Sequence, residues 1–386
     1  MDYDKEIEEF YSTAFQAKKE EEKKEEDEEK KEKIILEHVH IDVKIDSLED
    51  LIQLANDAVA KYDYTNPKKR FNIDFPRLCA IKQDMQDMCG MIGMHKLKKS
   101  IVDHILYYLQ DLHKSSPEKY IQNTENNTTV PVTNTDEIQD YKHMVLTGPP
   151  GVGKTEVAKI VARLFLNMGL LKNNVFKKAT RTDLIGGFLG QTAIKTNALV
   201  QSCLGGVLFI DEAYSLWDPS REKQDSYARE AVDTLCEAMS DHRNDLMVIF
   251  AGYEKEINAF LEANKGMESR FLWRYTVEPY TASELLDIFK KKVLQSGWSL
   301  LEDIDSSTLW KKWFETRHKR FTACGRDIEK LLTFAKIAHA RRVFGLPRTA
   351  CKVLSVADLD AGYVQLLANR KEEDVDGFKA HQFYFV

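Results

Sequence analysis

The sequence predicts an α/β fold with a parallel sheet covered by helices on both faces, a small α/β module before it and a small all-helical domain after it. Three observations support this fold class. Apolar strands alternate with helical patterns between residues 142 and 279, which is typical of a buried parallel sheet. One of these strands runs into a glycine-rich turn and then a helix. After Pro279 the apolar residues recur at helical spacing only.

The central segment and its helical continuation set the main boundaries. Short apolar runs predict strands at His143–Leu146, Gly206–Ile210 and Leu246–Ala251. Helical spacing predicts helices at Ala282–Gln295, Ser307–Arg317, Asp327–Arg342 and Ser355–Asn369. We therefore expect an α/β domain over residues 78–279, a helical domain over 280–370 and a C-terminal tail over 371–386.

The N-terminal part divides into a charged segment and a small module. Residues 18–33 are all charged and of mixed sign, so residues 1–33 are expected to form a solvated helical or disordered tail. Val39, Ile41, Val43 and Ile45 alternate with polar residues, which predicts a half-buried strand. Ser47 and Asp50 then resemble the capping box of an amphipathic helix. Residues 34–77 are thus expected to form a small module and linker.

A polar insertion is expected within the α/β domain. Apolar residues at helical spacing continue from Leu78 to Leu112. Residues 114–140 are rich in Asn and Thr and contain two prolines, which favours a flexible surface segment over a core element.

Composition excludes several function classes. The net charge of −7 over 386 residues gives no global attraction to nucleic acid or to an anionic membrane. No apolar run approaches the roughly 20 residues that span a bilayer. The first residues lack the apolar stretch of a signal peptide, so an intracellular, cytoplasmic protein is expected. The six cysteines form no CxxC pair, which favours reduced core thiols over a zinc or disulfide framework.

The glycine-rich turn has the composition of a phosphate-binding loop. Its residues are Gly148, Pro149, Pro150, Gly151, Val152, Gly153, Lys154 and Thr155. Glycines let backbone N–H groups point at phosphate oxygens, and the helix N-terminus adds the positive end of its dipole. Lys154 would contact the β and γ phosphates, and the Thr155 hydroxyl would bind Mg²⁺. The alternative is a glycine-rich turn with a chance lysine, but the strand before it and the helix after it favour ATP binding.

A second signal is an apolar strand that ends in two carboxylates, Asp211 and Glu212. Asp211 would hold Mg²⁺ through its water shell, and Glu212 would polarise the attacking water. The carboxyl ends of parallel strands meet at one edge of a sheet, so both residues are expected beside the phosphate loop. A surface strand end that happens to be acidic is the alternative.

These segments resemble a known family. The sequences GPPGVGKT, GGVLFIDEAYSLW and GMESRF are similar to those of the AAA+ superfamily of ring-forming ATPases, and most similar to its CbxX/CfqX family. The resemblance is strongest from Thr182 to Trp217 and covers roughly Asp87 to Asn369. It implies a three-layer P-loop AAA+ domain followed by a helical lid domain.

The resemblance also implies roles for residues outside the phosphate loop. Ile92 and Gly93 would contact adenine. Arg270 would act as an arginine finger on the γ phosphate bound by the neighbouring subunit, unless it only forms a surface ion pair. Arg326 would couple the nucleotide state to the angle between the domains, unless it is an ordinary capping or salt-bridging residue.

Two further positions follow from the resemblance. Phe188, Leu189 and Gly190 match the aromatic–hydrophobic–glycine pore loop that grips polypeptides, although Phe188 in core packing is the alternative. Lys195 would add a charge at the pore entrance. The family's first sensor is usually Asn or Thr, whereas this strand runs into Tyr253, which is a candidate for contacting the attacking water.

Three functions remain open from the sequence. The first is a hexameric homo-oligomeric ATPase that remodels or threads a protein substrate. The second is a nucleic-acid motor, for which the basic clusters at residues 68–70 and 290–292 lack a recognised DNA-binding motif. The third is an ATP-dependent assembly switch or scaffold. A membrane partner is not expected, and the sequence leaves the client open.

Overall fold

The computed structural model describes residues 37–113, 120–122, 129–131, 141–188, 190–217, 226–301, 306–345 and 352–382. The charged tail predicted for residues 1–33, Leu189 and most of the insertion lie outside these ranges. Among the described residues, no helix combines the length and apolar character needed to cross a membrane.

The N-terminal part is a two-stranded parallel sheet with four helices. Its elements are β1 (Glu37–Val39), α1 (Leu48–Ala60), β2 (Lys69–Phe71), α2 (Phe75–Ala80), α3 (Lys82–Cys89) and α4 (His95–Leu109). The capping box of α1 is confirmed, since Ser47 Oγ accepts from the Asp50 amide while the Asp50 carboxylate accepts from the Ser47 amide.

The predicted strand from Val39 to Ile45 is wrong beyond its first residue, because β1 ends at Val39. The side chain of Asn72 takes the place of a strand partner. It accepts from the Ile41 amide at 2.9 Å and donates to the Ile41 carbonyl at 3.0 Å. Ile41 therefore satisfies its backbone and stays buried without a ladder.

The described part of the insertion is a short antiparallel pair, β3 (Tyr120–Gln122) with β4 (Thr129–Pro131). The rest of the predicted insertion lies outside the described residues.

A five-stranded sheet with the order β6-β7-β8-β5-β9 forms the centre of the protein, and all of its pairs are parallel. Its strands are β5 (Met144–Thr147), β6 (Phe176–Ala179), β7 (Val207–Asp211), β8 (Met247–Gly252) and β9 (Trp273–Thr276). The three strands predicted from the sequence are β5, β7 and β8, each shifted by one residue.

The sequence did not predict β6 or β9, and their composition explains why. Strand β6 lies at the edge of the sheet, where Lys177 and Lys178 are exposed and only Ala179 is buried. Strand β9 is also an edge strand, and its buried residue is Tyr275. Edge strands need no continuous apolar run, so the pattern that predicts central strands does not find them.

Helices cover both faces of the sheet, as the α/β/α fold class predicts. They are α5 (Lys154–Asn167), α6 (Arg181–Leu184), α7 (Gln191–Gln201), α8 (Ser226–Asp241), α9 (Glu254–Ala263) and α10 (Lys265–Glu268). Successive strand residues alternate between two apolar clusters: Leu146 and Phe209 lie in one, whereas Val145 and Leu208 lie in the other. The first cluster also contains Leu51 of α1, so the N-terminal helices share a core with that face.

The C-terminal part is helical, with a third apolar cluster centred on residues such as Phe289 and Phe314. Its elements are α11 (Ala282–Gln295), β10 (Ser299–Leu300), α12 (Ser306–Arg317), α13 (Cys324–Arg342), β11 (Val353–Leu354) and α14 (Val356–Gln382). All four predicted helices are present, and the first has the predicted bounds. The last continues to Gln382, into the segment expected to be a tail.

Candidate active site

A cleft with a volume of about 920 Å³ lies at the carboxyl edge of the sheet, between the sheet and the helical domain. Ten of the residues singled out from the sequence line it: Ile92, Pro150, Gly151, Gly153, Lys154, Thr155, Asp211, Glu212, Tyr253 and Arg326. The fold therefore brings the phosphate loop and both strand-end carboxylates together, as predicted.

The phosphate loop joins β5 to α5 through backbone conformations that favour glycine. Gly148, Gly151 and Gly153 have φ angles of 146°, 73° and 91°. A Cβ on Gly148 would lie 2.4 Å from the Val277 carbonyl oxygen, so the loop passes too close to its neighbour for a side chain. The last two loop residues form the start of α5, where helix N–H groups are available to an anion.

Lys154 lies across this loop. Its ammonium group donates to the carbonyl oxygens of Gly148 at 2.7 Å and Pro149 at 2.9 Å. Burial lowers the pKa of Lys154, and the negative charge of Asp211 opposes this effect. An ammonium group has three N–H donors, so Lys154 can contact one phosphate oxygen while it keeps both carbonyl partners.

The two carboxylates stand at the end of β7. Asp211 is its last residue and is paired in register with Ala251 of β8. Glu212 has a left-handed backbone, with φ 52° and ψ 45°, and is exposed. Such a conformation costs about 1–3 kcal/mol in a residue other than glycine and is concentrated at functional sites. It directs the chain into a 3₁₀ turn, Ala213–Leu216.

The residues present fit a magnesium ion. The Thr155 hydroxyl and the Asp211 carboxylate both line the cleft and are oxygen donors of the kind that Mg²⁺ prefers. Within the described ranges, no group of three or more His, Cys, Asp or Glu side chains is placed to hold a metal alone. Mg²⁺ is usually held by one or two protein oxygens together with phosphates and water, so two protein donors suffice.

Two tyrosines form the wall beside the carboxylates. The rings of Tyr214 and Tyr253 stack with centroids 5.8 Å apart. Burial, with a smaller contribution from Glu212, raises the pKa of Tyr214 to about 12, so this phenol stays neutral at physiological pH. Tyr253 lines the cleft and its ring lies 5.8 Å from the Lys154 ammonium. Its contact with an attacking water stays a prediction.

The helical domain is joined to the phosphate loop by two hydrogen bonds. The Gly325 amide donates to the Gly151 carbonyl at 3.0 Å, and the Tyr280 hydroxyl donates to the Val152 carbonyl at 2.9 Å. Arg326 follows in the first turn of α13 and lines the cleft. The loop and the helical domain therefore form a direct contact through which a bound phosphate can affect both.

We expect Gly151→Ala to be more destabilising than its backbone angle alone requires. A Cβ there would lie 2.2 Å from the Ala323 carbonyl oxygen, whereas a Cβ on Gly169, with a φ of 77°, would meet nothing within 4 Å. Gly169→Ala should lower the free energy of unfolding by about 1–2 kcal/mol. Gly151→Ala should lose about 1–3 kcal/mol more. Denaturant unfolding measures both, and equal losses would contradict the close contact.

Ile92 and Gly93 lie where the N-terminal helices meet the helical domain. A Cβ on Gly93 would lie 2.7 Å from Glu284 Oε1 of α11. The turn before them is held by Lys291, whose ammonium donates to the Gly90 carbonyl at 2.9 Å. Ile92 and Ile288 both line the cleft here. Together they form an apolar surface suited to a planar nucleobase. Contact with adenine stays a prediction.

Arg270 is not among the residues that line this cleft. Its guanidinium donates to Ser240 Oγ at 2.8 Å and to the Gly266 carbonyl. The side chain is partly exposed on the outer surface beside α10. It therefore does not complete the site of its own subunit.

The loop after α6 presents Phe188 to solvent, with 72% of its surface exposed. Its interpretation as core packing is therefore wrong. A Cβ would meet nothing within 4 Å at Gly187 or Gly190, so the loop has open space around it. The Lys195 ammonium donates to the Thr182 carbonyl at 2.6 Å and the Ile185 carbonyl at 3.1 Å, which holds the base of the loop. A role for Lys195 at a pore entrance stays a prediction.

Residues 144–278 match the family described as "ATPase family associated with various cellular activities (AAA)". The chain is also 30% identical over 335 residues to the cfxQ-like protein R730 of Acanthamoeba polyphaga mimivirus, covering 86% of this chain and 75% of that protein. It is 38% identical to the CfxQ homolog of Pyropia yezoensis, covering 56% of this chain and 70% of the relative.

The chain belongs to the CbxX/CfqX family of AAA+ ATPases. It is an ATP hydrolase. This AAA+ ATPase is also 35% identical to the chloroplastic ribulose bisphosphate carboxylase/oxygenase activase of Cyanidioschyzon merolae, covering 53% of this chain and 69% of the activase.

Three residues of this AAA+ ATPase's site were missed from the sequence. Tyr280 bonds to the phosphate loop, Tyr214 stacks against Tyr253, and Lys178 forms an ion pair with Asp211 at 2.7 Å. Each contact joins segments that are distant in the chain. The strand-end pattern that located Asp211 carries no information about which edge-strand residue lies beside it.

Proposed function

We propose that this ATPase works as a hexameric ring of identical subunits and uses ATP hydrolysis to remodel or thread a protein substrate. The observation that carries the proposal is Phe188, an aromatic side chain held 72% exposed on a loop between two glycines. Phe188 lies at the position that matches the family's pore loop, and its exposure leaves the ring available to a polypeptide. An aromatic ring on an open loop can contact an extended polypeptide without selecting its sequence.

The chain's own residues can perform the hydrolytic step at the cleft. Backbone N–H groups of the phosphate loop and Lys154 bind the phosphates, and Glu212 polarises the attacking water. Thr155 and Asp211 would hold Mg²⁺, which, when bound, neutralises charge on the phosphates. Tyr253 and Arg326 are placed on the same cleft to sense the nucleotide.

The remaining catalytic group, an arginine, comes from a neighbouring subunit of the ring. Arg270 does not line the cleft of its own chain, so we infer that it acts on the γ phosphate in the adjacent subunit. Hydrolysis then depends on contact between subunits.

A protein client agrees better with the surface than a nucleic acid does. The relative from Cyanidioschyzon merolae is named as an activase of another enzyme. Half of the residues in the two basic clusters are engaged within the chain: Lys69 donates to the Tyr62 carbonyl, Lys291 to the Gly90 carbonyl, and Lys292 pairs with Glu329. No contact among the described residues favours a nucleic-acid motor over a protein remodeller.

Phe188→Ala should retain ATP turnover and lose client binding. We expect a Glu212→Gln form, which holds ATP, to retain its client for identification by mass spectrometry. Adding Phe188→Ala should reduce client affinity at least about tenfold, because burying an aromatic side chain contributes about 1.5–3 kcal/mol. Ile194→Ala is the matched control, since Ile194 is 71% exposed but lies on α7 beyond the loop. Equal retention by the two variants would contradict threading through this loop.

A further inference from the structure

Lys178 links the edge strand β6 to the carboxylate assigned above to magnesium. Its ammonium lies 2.7 Å from Asp211 Oδ2, and both side chains are partly exposed. The pair is formed between neighbouring strands, β6 and β7, close to their carboxyl ends. It places a positive charge directly on an oxygen of Asp211.

The segment that begins at Lys178 leads to the Phe188 loop. Thr180 and Asp183 form a capping box at the start of α6, which begins directly after β6 ends. Arg181 donates to the Ser215 carbonyl at 2.5 Å, in the turn that follows the two carboxylates. The segment is therefore attached to the acidic strand end at two places.

A small surface pocket of about 310 Å³ lies between this segment and the cleft. It is lined by Lys178, Thr180, Arg181, Thr182, Asp211, Glu212 and Ser215. Asp211 and Glu212 line both this pocket and the nucleotide cleft. The two carboxylates thus form the boundary between the nucleotide and the segment that carries the loop.

We propose that Lys178 is a latch that competes with Mg²⁺ for Asp211 and loosens the attachment of the Phe188 segment to the acidic strand end when the metal–nucleotide complex binds. This positioning role rests on the proposed function, in which Asp211 holds Mg²⁺. An ammonium group bound to one carboxylate oxygen repels a divalent cation approaching the same carboxylate. Conversely, the cation weakens the Lys178 pair and loosens one of the segment's two attachments to the acidic strand end, while its bonds to α7 through Lys195 and Thr196 remain. Moving the loop away would also free Asp211, since the coupling is reciprocal.

Lys178→Met should strengthen magnesium binding. We expect the Mg²⁺ concentration that gives half-maximal binding of a non-hydrolysable ATP analogue to fall about two- to fivefold, the range for a partly exposed ion pair. Lys177→Met is the matched control, because Lys177 lies on the same strand but donates to Ser202 Oγ. Titration of Mn²⁺ by electron paramagnetic resonance gives an independent readout. An unchanged or weaker metal affinity in Lys178→Met would overturn the latch.

Asp211→Asn separates a failure of the latch from a failure of the proposed function. If Asp211→Asn leaves metal affinity unchanged, the assignment of Asp211 to Mg²⁺ is wrong. If it weakens metal binding while Lys178→Met does nothing, the assignment stands and the latch alone is wrong.

Hydrogen exchange measures whether metal binding loosens the segment that carries Phe188. Adding Mg²⁺ to the wild-type protein with the ATP analogue should speed exchange of the amides in residues 180–188 at least about twofold. In Lys178→Met this segment should already exchange at the faster rate without Mg²⁺, and Lys177→Met should behave as wild type. Equal exchange rates in all three proteins would exclude a latch at Lys178.

Discussion

Replacing Glu212 with Gln should lower ATP turnover at least about 100-fold and leave ATP affinity within about twofold of wild type. A glutamine side chain has the same shape but cannot accept a proton, and general-base catalysis contributes about 10²- to 10⁴-fold. Glu212 makes no contribution to the phosphate loop, which binds nucleotide through Lys154 and backbone groups. Steady-state hydrolysis and equilibrium binding of a fluorescent ATP analogue measure the two quantities separately.

Glu256→Gln is the control for this substitution. Glu256 lies close enough to Tyr214 to affect its pKa, yet it is exposed on α9 and does not line the cleft. The control should keep full turnover. Unchanged turnover in Glu212→Gln itself would contradict the hydrolytic mechanism and favour an assembly switch driven by binding alone.

Much of the site could be predicted because short, continuous stretches of sequence form it. The turn from Gly148 to Thr155 requires several positive φ angles in a short stretch, and the sequence supplies glycine at those positions. Strands β5, β7 and β8 are buried on both faces, so their apolar runs are readable without tertiary knowledge. Parallel topology then places Asp211 beside the loop.

The parts that the sequence did not predict depend on long-range contacts. Ile41 does not continue a strand, because a side chain at Asn72 satisfies its backbone. The close approach of Gly151 to Ala323 and the bond from Tyr280 to Val152 require the helical domain to be in place. Local periodicity contains no information on such contacts, since it reports burial of one face and not the identity of the neighbour.

Arg270 and Arg326 show the difference between the two kinds of prediction. The resemblance assigned Arg270 to the γ phosphate of a neighbouring subunit and Arg326 to coupling between the nucleotide and the domain angle, and only Arg326 lines the cleft of its own chain. Arg270 is held on the outer surface by Ser240 and Gly266. The assignment of Arg270 as an arginine finger therefore concerns the contact between neighbouring subunits, which the structure of one subunit does not test.

Arg270→Ala should lower ATP turnover about 1,000-fold while nucleotide affinity changes little, because an arginine finger stabilises charge that develops only in the transition state. Arg274→Ala is the matched control: Arg274 lies nearby, pairs with Glu268 at 3.3 Å and does not line the cleft. Thermal unfolding of both variants checks that the lost contact to Ser240 does not account for the effect. Near-normal turnover in Arg270→Ala would exclude the finger.

Mixing two inactive variants decides whether Arg270 acts between subunits. Arg270→Ala subunits keep Glu212 in their cleft but donate no finger, whereas Glu212→Gln subunits have a disabled cleft and an intact Arg270. In a mixed ring, an Arg270→Ala cleft next to a Glu212→Gln subunit receives a working arginine, so turnover should rise well above that of either variant alone. If Arg270 acted in its own cleft, every subunit would remain defective and mixing would restore nothing. The recovery therefore tests the ring and the catalytic role of Arg270 together.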